Sequence, residues 1–351
     1  MAAKYQDIVN KLELEIRQSK KDGANKLPSE QDLAKKYSCS RQTVRSALDV
    51  LESRGEIVKK KGAGSFIASS SPLSSDEVWL ITSDRDGYIM PELIKGLQSR
   101  LEKKRLTLRT FSTGNSYKKE KEYLSAALGS KPSCIVICPI RSALPSPNIR
   151  LIDTVRDSGI EIVYLFSSYV SNNMTISVDY RSGAELLVRH LSGHGHRNIA
   201  GLFLMDDQAG IGRYEGVLSS LQDLNLTFDE DSFMLFTTDD LNDIMRGNRT
   251  VLDNFIKKNL PGNSAVICHN DPLAHEFIRL AGKRGIKVPG DISVVSFDNS
   301  YYASGEGSIT SAGPEPGALI NALAGAVISA SERRALNIKP VAMELSVRTS
   351  G

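Results

Sequence analysis

The sequence predicts an α/β protein in two parts: a small helical head ending in a hairpin, and a larger body of parallel, doubly wound sheets in two lobes. Three observations predict this. Residues 27–61 read as two short amphipathic helices and the start of a hairpin. A Ser/Pro-rich stretch, ASSSPLSSD, then lacks any period and serves as a linker at 69–76. Beyond it, short apolar strands alternate with helical patterns to the C-terminus, the mark of parallel sheets covered on both faces. The expected domains are therefore 1–68 and 77–351.

The head begins with a helix over residues 4–21, with Tyr5, Ile8, Val9, Leu12 and Ile16 on its inner side. Ser29 is placed to cap a second helix, with Asp32 completing a weak capping box. Leu33, Ala34 and Tyr37 give that helix its apolar side. Ser40 is placed to cap a third, because its hydroxyl can accept from the free amides of the first turn. Val44, Ala47, Leu48 and Leu51 fall at i, i+3, i+4 and i+7 and form one buried stripe. Arg41, Gln42 and Arg45 lie off it, near the helix start, an arrangement that a DNA major groove accepts. Gly55 ends this helix, and residues 56–59 and 65–67 pair around the lysine- and glycine-rich tip 60–64. That tip can approach a sugar-phosphate backbone, and the Lys59–Lys61 run suits phosphate contact.

In the body, strands are expected at 78–81, 106–108, 134–138, 162–166, 199–203, 265–268 and 292–297. Helices are expected near 91–104, 116–129, 148–158, 181–192, 209–223, 241–258, 272–284 and 317–334. In such sheets ligands sit at the carboxyl ends of the strands, so the loops that follow them are the places to search.

Composition narrows the function classes. A chain of 351 residues that is 40% hydrophobic suits two or three globular domains. No window approaches the roughly 18 apolar residues of a membrane span, and the amphipathic start does not read as a signal peptide, so a cytoplasmic protein is expected. Residues 1–70 carry 14 basic and 9 acidic side chains, a net +5 within a whole-chain +3, which suits a polyanion-binding head. Of the four cysteines, Cys134, Cys138 and Cys268 are expected as buried apolar residues, and Cys39 falls in a turn. His194 and His196 flank a glycine with no ligand partner nearby in sequence, so no metal or cofactor is expected. No nucleophile elbow, P-loop or HExxH nominates catalysis, so the chain is not expected to be an enzyme.

Two resemblances add to this. Leu27-Pro28-Ser29-Glu30, Ser40-Arg41, Thr43-Val44-Arg45 and Ala47-Leu48, followed by Gly55, Gly62, Gly64 and Phe66, resemble the GntR-type winged helix-turn-helix. That resemblance covers about the first 70 residues. It implies DNA contacts from Ser29, Gln31, Ser40, Arg41, Gln42, Thr43, Arg45, Lys61 and Gly62. Gln31 stands where the family often has arginine, which weakens that contact or shifts it to adenine.

From about Val78 onward the chain resembles the effector domain of the lactose- and galactose-repressor family, with its type I periplasmic-binding-protein-like fold. The carrying segments are residues 178–184, 190–200, 213–216, 268–274 and 288–299. After residue 300 the family's Pro-Leu-Thr-Thr run appears only as Ser308-Ile309-Thr310-Ser311. The joint architecture resembles the bacterial arabinose-repressor type of sugar-responsive regulator.

By this resemblance Arg213, Asn270 and Asp298 hold an effector between the lobes. A planar guanidinium donor and a carboxylate acceptor suit a polyhydroxylated ligand such as a monosaccharide. Arg213 and Asp298 can equally pair with each other. On the first lobe Asp84, Tyr88 and Arg141 are candidates for the cleft, with Phe166 offering a ring to a sugar's apolar face. The expectation is a homodimer that holds two heads on a palindromic operator in double-stranded DNA and is released by sugar. The competing expectations are a response to a sugar phosphate or another small polar ligand, action as an activator, a sugar-binding module without gene regulation, and an enzyme fused to a DNA-binding head.

Overall fold

The computed structural model describes residues 8, 9, 11, 12, 15, 16, 26–53, 57–60, 64–67, 75–170, 174–305, 308–334, 336 and 338–351. They form two compact units, Met1–Ser75 and Asp76–Gly351.

In the first unit, helices α1 (Glu30–Lys36) and α2 (Arg41–Ser53) precede an antiparallel hairpin of β1 (Ile57–Lys60) and β2 (Gly64–Ile67), with Ile57 opposite Ile67. Ser29 Oγ accepts the Asp32 amide at 3.2 Å and Ser40 Oγ accepts the Thr43 amide at 3.1 Å, so both helices start at hydroxyl caps. Val44, Ala47, Leu48 and Leu51 are buried against Leu33, Ile57, Ile67 and the helical residues Ile8, Val9, Leu12 and Ile16. Burying one such leucine or isoleucine is worth roughly 1.5–3 kcal/mol. Tyr5, Gly55, Lys61 and Gly62 lie outside the described residues.

The second unit has two sheets. The first lobe contains β3 (Ser75–Thr82), α3 (Met90–Glu102), β4 (Thr107–Ser112), α4 (Tyr117–Ser130), β5 (Pro132–Ile137), α5 (Ile149–Asp157), β6 (Glu161–Leu165) and β7 (Thr175–Ile176), with strand order β4-β3-β5-β6-β7. β3 takes in Ser75 and Asp76, the last two residues of the expected linker, because the strand pairing to β4 begins at Glu77 and the chain is already extended before it.

The second lobe holds α6 (Tyr180–Gly193), β8 (Ile199–Leu204), α7 (Gln208–Asp223), β9 (Phe233–Phe236), α8 (Thr238–Met245), α9 (Thr250–Lys258), β10 (Ala265–Cys268), α10 (Asp271–Lys283), β11 (Ser293–Phe297), α11 (Tyr301–Ser304) and β12 (Thr310–Pro314). The chain then returns to the first lobe as α12 (Pro316–Ser331), packed on α3, β5, β6 and β7, and ends in the second as β13 (Met343–Ser346). The second sheet runs β13-β12-β11-β10-β8-β9, parallel except where β13 meets β12.

The chain therefore passes between the lobes three times, near 177–179, at Glu315 and across 332–342. The expected single helix over 241–258 is two helices. The break falls at Arg246–Arg249, where Gly247 takes φ +103° and Asn248 accepts from Thr250. Strands β7, β9, β12 and β13 were not expected. β7 is two residues long, and β12 and β13 carry polar residues, Gly or Pro, so their pairing comes from the sheet rather than from an apolar period, whereas β9 is a run of four apolar residues that went unassigned.

Candidate functional site

Both sheets reverse their strand order at one place: between β3 and β5 in the first lobe, and between β8 and β10 in the second. Loops at the carboxyl ends of such strands diverge and leave a crevice. Here a cavity of about 350 Å³ lies where the loops of the two lobes meet. Asp84, Tyr88, Arg141, Phe166, Arg213, Asn270 and Asp298 all line it.

Arg213 and Asp298 are buried and paired, Nη2 to Oδ1 at 2.6 Å. Nη1 of Arg213 donates to the His269 carbonyl at 2.5 Å, and the guanidinium lies between the rings of Tyr180 and Phe297, 5.2 and 5.1 Å from their centroids. Burial works against the charge on Arg213, but Asp298, Tyr180, Tyr88 and Asp207 together outweigh it and raise the pKa. The other oxygen of Asp298 accepts from the Tyr88 hydroxyl at 2.8 Å, a bond from the first lobe to the second. Burial first, and Asp298 second, hold that phenol well above its ordinary pKa, so it stays a donor. Asn270 Oδ1 caps α10 at the Leu273 amide, 3.0 Å away, which leaves its amide nitrogen for the cavity. The Arg213–Asp298 pairing weighed against ligand contact from the sequence is thus present, at residues that also line the cleft.

The first lobe meets the second again at Arg141. Its Nη2 donates to Asp239 Oδ1 at 2.5 Å, and its Nε lies 3.7 Å from Asp206 Oδ2. Asp206 is itself fixed by the Thr238 amide at 3.0 Å and hydroxyl at 2.9 Å. The residue before Arg141 is clamped from within its own lobe: the Ile140 amide donates to Tyr169 Oη at 2.5 Å, and Tyr169 Oη donates to the buried Glu120 at 2.8 Å. Asp84 is exposed, and its Oδ1 accepts the Asp86 amide at 2.9 Å. Phe166 closes the wall beside it, packed on the core.

Five residues of the lining, Asn115, Arg141, Phe166, Asp298 and Asn299, have left-handed φ of 60°, 44°, 70°, 97° and 48°. A non-glycine residue so placed is uncommon and costs of order 1–3 kcal/mol. Asp298 can turn this way because residue 313 is glycine; a Cβ there would lie 2.5 Å from the Asp298 carbonyl.

Sequence reasoning missed Tyr180, Asp207 and His269, which also line the cavity. Burial raises the pKa of Asp207. Burial, then Arg213, holds His269 neutral, and its Nδ1 has no partner. Tyr180 opens a helix and Asp207 caps one, so both read as helix-start residues. Cys138, expected in the core, is half-buried and faces the cavity, because it lies one residue past β5; its thiol is pushed up to about 12 by burial.

In the head, Gln31, Arg41, Gln42 and Arg45 are exposed and Thr43 is partly so, with its hydroxyl 2.7 Å from that of Ser40. Arg45 forms a two-bond pair with Glu30, at 2.9 and 3.3 Å. Lys59 is not free for phosphate: it pairs with Asp49 and lies 3.5 Å from Glu52. Lys60 lies 5.0 Å above the Phe66 ring.

Among the described residues no group of three or more His, Cys, Asp and Glu is placed to hold a metal, and no helix is long and apolar enough to cross a membrane.

Comparison with known proteins identifies relatives of both units. Residues 4–67 match the family described as bacterial regulatory proteins, gntR family, and residues 188–350 match the periplasmic binding protein-like domain. The arabinose metabolism transcriptional repressor of Geobacillus stearothermophilus is 30% identical over 286 residues, 80% of this chain and 77% of that protein. That of Halalkalibacterium halodurans is 28% identical over 311 residues, 86% and 82% of the two. Among solved structures, a periplasmic binding protein/LacI transcriptional regulator from Alkaliphilus metalliredigens complexed with D-xylulofuranose superposes with a TM-score of 0.68 at 21% identity, over 79% of this chain and 99% of that one. The transcriptional regulator CelR in its cellobiose complex reaches 0.67 at 17% identity, over 93% and 100%. At these identities the structural likeness establishes the fold.

Proposed function

The chain belongs to the family of the arabinose metabolism transcriptional repressors, which join a gntR-type DNA-binding head to a periplasmic-binding-protein-like body, and from that premise we propose that it leaves its operator when a monosaccharide fills the cleft. The observation that carries this reading is the chain of bonds from Tyr88 through Asp298 to Arg213 across the cavity. It offers a ligand hydroxyl a buried carboxylate to donate to and buried N–H groups to accept from. Phe166 and Tyr180 supply ring surface beside it.

The charge of the lining favours an uncharged sugar over a sugar phosphate. Arg213 and Arg141 are already matched by carboxylates, while Asp84, Glu92 and Asp207 add further acidic groups. A phosphate would meet net negative charge in a poorly solvated site.

In this reading the ligand favours one lobe arrangement, with a coupling of roughly 1–3 kcal/mol to DNA binding. The body pairs two chains so that two heads meet a palindromic operator in the cytoplasm. Arg41 and Arg45 meet base edges or phosphates beside Gln42, Ser29, Gln31, Ser40 and Thr43 support or contact the backbone, and the family resemblance assigns a further backbone contact to Lys61 and Gly62, outside the described residues. Isothermal titration with a panel of pentoses and hexoses, arabinose included, tests it. Micromolar binding by one sugar, and release of operator DNA by the same sugar, are expected. Silence across the whole panel overturns the sugar reading.

A further inference from the structure

The loop after β5 ties the lobes together at Ser142, which does not itself line the cavity. Ser142 is 4% exposed. Its hydroxyl donates to Asp207 Oδ2 at 2.8 Å and accepts the Gln208 amide at 2.8 Å. The next residue, Ala143, donates its amide to the Asp206 carbonyl at 3.2 Å. Asp207 is the N-cap of α7 and Gln208 is its first residue.

The first amides of a helix have no partner within the helix. Asp207 takes one, at Ala209, 2.9 Å away. A hydroxyl from the opposite lobe takes the one before it. The helix so completed carries Arg213, five residues further on, which organises the cleft. Opening the lobes would strip the cap from Gln208 and part the Asp207 carboxylate from its hydroxyl donor.

We propose that Ser142 is a positioning residue of the effector response: by capping α7 across the cleft, it holds the lobes together and sets how much of the ligand-free protein already has the closed arrangement. Its consequence for DNA release rests on the monosaccharide reading above; the latch itself does not.

Two substitutions reach the same bond from opposite sides. Ser142→Ala removes the hydroxyl. Gln208→Pro removes the amide and puts the ring Cδ where the hydrogen pointed at Ser142, so it excludes the latched contact, yet it suits the helix, because proline is favoured at the first helical position and Asp207, at φ −128° and ψ 136°, already has the extended backbone that proline demands of its predecessor. Hydrogen–deuterium exchange on the full-length, ligand-free protein reads the result. In both variants, peptides covering 82–90, 138–144 and 205–213 are expected to exchange roughly five- to tenfold faster, as for the loss of one buried hydrogen bond. Peptides in the sheet core, 199–204 and 293–297, are expected to keep their wild-type rates.

Unchanged cleft peptides, or a uniform rise across the whole body, overturn the proposal. A second arm uses arabinose as the probe. The concentration that half-releases operator DNA is expected to rise in Ser142→Ala, by less than the factor seen in exchange, since the fraction of molecules competent to bind falls less steeply than opening rises. Should exchange respond as expected while no sugar of the panel moves operator binding in any variant, the latch stands and the sugar reading fails.

Discussion

Arg213 and Asp298 depend on each other. Both side chains are almost wholly enclosed, and the Asp298 carboxylate helps to raise the pKa of Arg213. Arg213→Ala is expected to lower unfolding free energy in urea by about 3–5 kcal/mol, because it strands the Asp298 charge. Adding Asp298→Asn to it is expected to recover part of that loss.

A second buried acid gives a pH signature. Asp271 accepts from Ser296, from the Ser300 amide and hydroxyl at 2.6 and 2.8 Å, and from Ser311 at 2.7 Å. Burial, then Asp298, raises its pKa to about 6. A folded pKa above the unfolded value near 3.9 means that the protonated form is the one favoured by the fold. Its contribution is full below about pH 4 and falls away as pH rises through 6, a loss on the order of 3 kcal/mol. Asp271→Asn is expected to remove that slope from urea midpoints measured between pH 4 and 7.

Residues such as Arg213, Asn270 and Asp298 were legible because they sit in contiguous family motifs, Arg213 on α7 and the other two just past β10 and β11. Ser142, Tyr180 and His269 were not, since each owes its place to a partner 66, 33 or 56 positions away: Gln208, Arg213 and Arg213.

At the scale of elements, caps and stripes did most of the specifying. Ser40→Ala is expected to cost about 1 kcal/mol in the head's unfolding and to weaken operator binding, because α2 begins at that hydroxyl. Gly313→Ala is expected to destabilise the body by roughly 1–3 kcal/mol, since its methyl group meets the Asp298 backbone, and to loosen ligand binding with it. The apolar strands β3, β5, β8, β10 and β11 declared themselves by composition. The split of α8 from α9 did not, because Leu241, Ile244, Leu252, Phe255 and Ile256 keep a helical rhythm across the break, and one glycine inside such a rhythm is often tolerated.

Across the whole molecule, two kinds of chemistry are divided between two units that the sequence separates by charge and by period. Arg41→Ala with Arg45→Ala is expected to abolish specific operator binding while leaving sugar titration unchanged. A plot of log affinity against log salt should flatten by about two units if each arginine neutralises a phosphate. Retained full operator affinity in that variant would detach the head from regulation.

The left-handed turns at Arg141, Phe166, Asp298 and Asn299 put the outline of the cleft into the main chain. Neighbours such as Tyr180 and His269 hang from an ordinary helix start and a strand end. Evolution, or an engineer, can therefore exchange the latter to change which guest is preferred while the mould keeps its form. β-branched replacements at the kinked positions would have to reshape the mould itself.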